Sequence, residues 1–163
     1  MMLLFSAYEL MDTKKHYQKA CMGIVKKRVE ATLEGLGLDV PPNELHDNYY
    51  GLIDFEYWAR KNLGEDVVAW MKENVHPLDI VFRLAEDHGI VLLNGSGFEA
   101  PDWSVRVSFA NLDDHVYDDI GRAVKAVARS YRQAYEASKG KAVKTSRTAT
   151  AKVKADSKPR AKK

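Results

Sequence analysis

The sequence predicts an α+β body followed by a disordered basic tail, and three observations carry that prediction. Residues 1–137 alternate helical and strand-like hydrophobic patterns, with no internal repeat. Residues 138–163, SKGKAVKTSRTATAKVKADSKPRAKK, contain no Leu, Ile or aromatic residue. They lack the apolar surface needed to offset the entropy of ordering. Charge divides at the same place: the tail holds ten Lys/Arg and one acid, Asp156, leaving 15 basic and 22 acidic residues in the body. The net charge of +2 therefore combines a body near −7 with a tail near +9.

The elements follow in order. Residues 3–34 read as one long helix, with Tyr17, Cys21, Ile24, Val25, Val29 and Leu33 on its apolar face. Gly35 and Gly37 end it, and Pro41-Pro42 prevents its resumption. NYYGLIDF (48–55) is strand-like, FEYWARKNL reads as a short helix, and EDVVAWMKENV (65–75) as another. Pro77 suits the first turn of a helix over 77–88, with Gly89 as its stop. IVLL (90–93) and WSVRVSFA (103–110) are the remaining strands, joined by the loop NGSGFEAPDW. The last helix is predicted over about 113–136, where Val116, Ile120, Val124, Val127 and Tyr131 share a face. Four aspartates crowd its start and Arg129 and Arg132 sit near its end, as the helix dipole favours.

Composition narrows the classes of function. A body of this size buries a core without staples, and Cys21, the only cysteine, excludes an internal disulfide and fits a reducing compartment. The opening MMLLFSAYEL is too short and interrupted to span a bilayer, and it lacks a basic start and a cleavage site. The cytoplasm is therefore the expected location, with no membrane partner. His16, His46, His76, His88 and His115 show no metal-ligand spacing, so no metal site is expected. Cys21 reads as a core residue rather than a nucleophile. The aromatic group Tyr49, Tyr50, Phe55, Tyr57, Trp58 and Trp70 reads as core rather than a ligand cage.

One residue stands out. Alternation along 103–110 puts Val105, Val107 and Phe109 on one face and Ser104, Arg106 and Ser108 on the other. An arginine between two small hydroxyl residues has room to grip a carboxylate with two donors. Spacing equally allows an ordinary solvent-facing arginine on a half-exposed strand. Gly95-Ser96-Gly97 offers backbone amides to a ligand or is simply a connecting loop, and no dinucleotide-binding helix continues from it. The tail is either a solvated extension or a means of attracting nucleic acid or an acidic partner.

The runs YYGLIDFEYWARKNLGEDVV, PLDIVFRLAEDHGIVLLNGSGF and PDWSVRVSFANL resemble the C-terminal part of the aspartate 4-decarboxylases. These are pyridoxal-phosphate enzymes of the fold type I aminotransferase superfamily (class I/II). The resemblance implies that residues 1–137 are the small C-terminal domain of that fold: a long helix, then strand-helix-helix-strand-strand-helix. Residues 138–163 would be a disordered appendage. It further implies that Arg106, in S-V-R-V-S, binds the substrate's α-carboxylate. The family's chemistry is conversion of L-aspartate to L-alanine and CO2, with transamination as a side activity and pyridoxal 5'-phosphate as electron sink. The Schiff-base lysine, the aspartate facing the pyridine nitrogen and the phosphate-binding groups belong to the family's large domain, upstream of the matching region. No catalytic or cofactor-binding residue is therefore expected in this chain, which reads as a truncated piece inactive alone. The family also implies a homo-oligomer. The competing expectation is a non-catalytic remnant or a binding protein that uses its basic tail.

Overall fold

The structure, a computed structural model, describes residues 2–39 and 48–156. The expected Pro41-Pro42 stop and the end of the tail lie outside the described residues. The predicted single N-terminal helix is two helices, α1 (Met2–Met11) and α2 (His16–Leu36). The break falls where Lys15 adopts a left-handed backbone, φ 53°. The Asp12 carboxylate then accepts the Tyr17 amide at 2.8 Å, satisfying a donor of the new helix's first turn. α2 runs on through Gly35, expected to help end it, and stops at Gly37, whose left-handed conformation lets it and Leu38 donate to Glu34 and Leu33 carbonyls.

The sheet has three antiparallel strands in the order β1-β3-β2. They are β1 (Tyr50–Asp54), β2 (Leu93–Asn94) and the central β3 (Ser104–Ser108). Arg106 pairs with Leu52 on one side and Leu93 on the other. β2 is shorter than IVLL suggested. Ile90 is drawn into the cap of the preceding helix, its amide donating to Leu84 O, and Val91 is exposed. Helices α3 (Phe55–Leu63), α4 (Glu65–Asn74) and α5 (Asp79–His88) connect β1 to β2. Asp54 caps α3 by accepting the Tyr57 amide at 2.9 Å.

Val105 and Val107 are fully buried on the inner face of β3, packed with Ile80, Leu84, Val68 and Met71 of the connecting helices. Aromatic rings fill the centre: Phe55 lies 6.2 Å from Trp58, 6.3 Å from Trp103 and 6.1 Å from Tyr131. The final helix, α6 (Val116–Asp156), closes this core with Tyr117, Ile120, Val124, Val127 and Tyr131. α2 and α6 cross backbone to backbone at Gly35 and Gly121. A Cβ on Gly121 would collide with the Thr32 carbonyl and the Leu36 amide, and one on Gly35 with the Asp118 carbonyl.

Two expectations about helices need correction. The buried residues of α2 are Thr32, Gly35 and Leu36, with Val25 and Val29 alongside. Tyr17 and Ile24 are exposed and Cys21 is only half-buried, because the helix meets α6 through its C-terminal half. The last helix does not stop near 136 but continues to Asp156, through residues expected to be disordered. Extension from a packed helix avoids the cost of a new nucleus, and Ala, Lys and Arg favour the helix.

Candidate functional site

β3 carries the candidate residue at its midpoint. Because Val105 and Val107 are committed to the core, Arg106 projects from the opposite, outer face. There the guanidinium carbon lies 3.8 Å from the Tyr50 ring centroid and 4.1 Å from that of Phe98. Two rings that close to one carbon cannot share a face of a planar group, so the cation is held between them. Tyr50, expected in the core, is instead about half exposed and stacked on this arginine.

The two rings reach Arg106 from different elements. Tyr50 opens β1. Phe98 ends a short 3-10 turn, Gly95–Phe98, which Asn94 caps by accepting the Ser96 amide at 2.8 Å. Gly95 is needed there because a Cβ would strike the Ser104 hydroxyl. The glycine loop thus spends its Ser96 amide internally and serves to place Phe98. Ser104, expected on the outer face, is buried beneath Gly95 and donates to the Pro101 carbonyl at 2.5 Å.

Stacking occupies the faces of the guanidinium and leaves its in-plane N–H donors at the edge. Among the described residues, no carboxylate pairs with them and no carbonyl accepts from them. A cavity of about 200 Å³ adjoins this edge, lined by Tyr50, Leu93, Arg106, Ser108, Asn111 and Leu112. The Ser108 hydroxyl is buried and has no hydrogen-bond partner. Arg106, with its donors unspent among the described residues, and Ser108, whose buried hydroxyl has no partner, therefore border one recess, a combination suited to a carboxylate. Leu52 and Leu93, both about half exposed, flank the arginine across the ladder and keep its surroundings apolar.

A second arginine, not singled out in the sequence, braces the site from beneath. Arg28 donates to Asp114 Oδ1 at 2.6 Å and to the Phe109 carbonyl at 2.9 Å, and lies over the Tyr117 ring. Hydrogen bonding to Arg28 holds the Asp114 carboxyl below its ordinary range. Tyr117 donates its hydroxyl proton to the Ser108 carbonyl at 3.1 Å and accepts the Leu112 amide at 3.2 Å. These contacts hold the bend 108–112, which walls the cavity. The signal for Arg28 was its position three residues after Val25, on the half of α2 that packs. Among the described residues no group of three or more His, Cys, Asp or Glu is placed to hold a metal ion. None of the described helices is long and apolar enough to cross a membrane.

Fold and site together define a small α+β unit in which Arg106, unpaired among the described residues, lies between two aromatic rings on the outer face of the sheet. No family model matches the chain. It is homologous to part of the bifunctional aspartate aminotransferase and L-aspartate beta-decarboxylase of a Pseudomonas species, 35% identical over 136 residues. That match takes in 83% of this chain, which spans about a quarter (26%) of the relative's length.

Proposed function

We propose that residues 1–137 are the small C-terminal domain of a pyridoxal-phosphate-dependent aspartate 4-decarboxylase, and that Arg106 binds the α-carboxylate of L-aspartate. The observation that carries this reading is the guanidinium itself: stacked between Tyr50 and Phe98, its in-plane donors unspent, beside the orphaned Ser108 hydroxyl. Held in that plane, the fork meets a carboxylate edge-on with two parallel hydrogen bonds, so little ordering entropy remains to be lost on binding. Gripping the α-carboxylate fixes the substrate's orientation while its β-carboxylate leaves as CO2.

The residues present do not fit the cofactor. The cavity is lined by no lysine to form a Schiff base and no acid to face a pyridine nitrogen. On this reading those groups come from the three quarters of the relative that this chain does not match, and the chain by itself is inactive. Bound there, the cofactor would supply the electron sink. The homo-oligomeric state of the family is part of the same proposal.

The test is a chimera in which this chain replaces the matching segment of the Pseudomonas relative. Decarboxylation of L-aspartate should be retained. Arg106→Ala in that chimera should then lower kcat/KM by about 30-fold or more, as expected when a buried charge loses a partner worth about 2–5 kcal/mol. Unchanged kinetics would remove Arg106 from the site.

A further inference from the structure

The carboxylate recess leaves α1 unexplained. None of its ten residues is buried, and its seven large apolar side chains are 62–88% exposed. At roughly 150–200 Å² for each such side chain, they leave on the order of 1,000 Å² of apolar surface in water. The largest apolar patch of a monomer is usually about 300–600 Å². A helix of ten residues is also marginal in water by itself, so its helical state calls for a packed face. On a projection of about 100° per residue, Leu3, Leu4, Ala7, Leu10 and Met11 fall within about a third of the circumference and form a ridge. Phe5 and Tyr8 lie on another side, where with Tyr17 they wall a cavity of about 460 Å³ between α1 and the start of α2. One pair of helices therefore carries both an apolar ridge and a largely apolar cleft.

We propose that two copies of this chain pair through α1, the ridge of each copy seated in the cleft of the other. A two-fold contact uses the same patch on both partners, so that patch must complement itself. A ridge and a cleft on one segment meet that requirement. The area fits as well. A stable interface takes about 800 Å² from each partner, and α1 together with the exposed Tyr17, Met22 and Ile24 of α2 supplies it. Charge agrees: Glu9 and Asp12 set against Lys14, Lys15 and Lys19 leave residues 2–24 near +1, so a second copy meets little repulsion. A membrane surface fits less well, because α1 itself has no Lys or Arg to meet anionic headgroups and its one charge is Glu9. The pairing does not involve Arg106 and so stands apart from the carboxylate reading, while giving the proposed homo-oligomer a surface.

The test is sedimentation equilibrium on the full chain between about 1 and about 100 μM. At the upper end the mass should be twice 18.4 kDa, and the urea midpoint should rise with protein concentration. Leu3→Glu with Leu10→Glu, on the ridge, should give the monomer mass throughout. Phe5→Ala with Tyr8→Ala, on the cleft, should weaken pairing at least about tenfold. These side chains are exposed in the single chain, so both double variants should unfold at the midpoint the parent shows at its lowest concentration. Arg106→Ala should remain a dimer, which separates failure of the carboxylate reading from failure of this one. A monomer mass at about 100 μM would overturn the proposal, as would a dimer whose Kd either double variant leaves unchanged. A monomer that sediments with phosphatidylserine vesicles would overturn it in favour of a membrane surface.

Discussion

The Tyr50 ring reaches the Arg106 guanidinium along the diagonal of the β1–β3 ladder, two positions from the directly paired Leu52, and covers it at 3.8 Å. Diagonal neighbours on one sheet face are within reach of aromatic and long side chains. The attraction of a cation for a ring face, about 0.5–2 kcal/mol, holds the side chain still without using any of its hydrogen-bond donors. Arg28 is the opposite case, since its donors are spent inside the protein on Asp114 and the Phe109 carbonyl.

That contrast predicts a difference in stability. Arg106→Ala should cost about 1 kcal/mol or less, because only stacking is lost. Arg28→Ala should cost more, about 1–3 kcal/mol, because it leaves the Phe109 carbonyl unpaired at a part-buried position. Urea unfolding midpoints of the two variants decide the matter. If Arg106→Ala is the more damaging, that arginine is a structural element and its availability to a ligand is in doubt.

A second contrast sets two glycines in helices against each other. Gly121→Ala places a methyl group onto the Thr32 carbonyl and the Leu36 amide, forcing α2 and α6 apart. Overpacking of this kind costs about 1–3 kcal/mol or more, because backbone atoms cannot rotate away. Gly23→Ala, in α2 with open space around it, should instead stabilise by about 0.5–1 kcal/mol. Thermal midpoints should move in opposite directions. Equal shifts would mean that the helices do not cross as closely as described.

The third prediction concerns alkaline pH. Burial, then the 2.7 Å hydrogen bond to Asp79, pushes the Tyr131 phenol above its ordinary value. In the unfolded chain a tyrosine ionises near about pH 10, so above that point the folded state holds the extra proton. The stabilisation is complete below about pH 10 and is lost as pH rises further. Tyr131→Phe should be less stable than the parent at neutral pH, with a shallower decline between about pH 9 and 11. Parallel pH profiles for the two proteins would refute the assignment.

The sheet and the helices around it were legible because their signals are local. Asp54 caps α3 where the strand pattern stops, and Val105 and Val107 alternate with Arg106 in β3 as period two requires. Homology-bearing runs then marked Arg106 itself, although spacing alone left it undecided between a clamp and a surface residue. The flanking rings were not legible. Tyr50 and Phe98 lie 48 positions apart in the sequence, and an aromatic residue near the core looks the same whether it fills the interior or covers a cation. The break at Lys15 was hidden too, since lysine carries no helix-stop signal. Its cause is the Asp12 carboxylate reaching Tyr17. The tail holds too few apolar residues to pack, a criterion that says little about where a helix extended from one already packed will stop.

The glycine crossing has a mechanical consequence. Sixteen residues of α2, from His16 to Ala31, precede its first fully buried side chain, Thr32. The helix is therefore an overhang, held most closely where Gly35 meets Gly121 and steadied further along by Val29, Arg28 and Val25. Over a lever of about 28 Å, a tilt of about 5° at that crossing displaces the start of α2 by about 2–3 Å. Where α1 stands relative to the recess beside Arg106 is thus set by the fit of two main chains, at a point where neither helix has a side chain to adjust it.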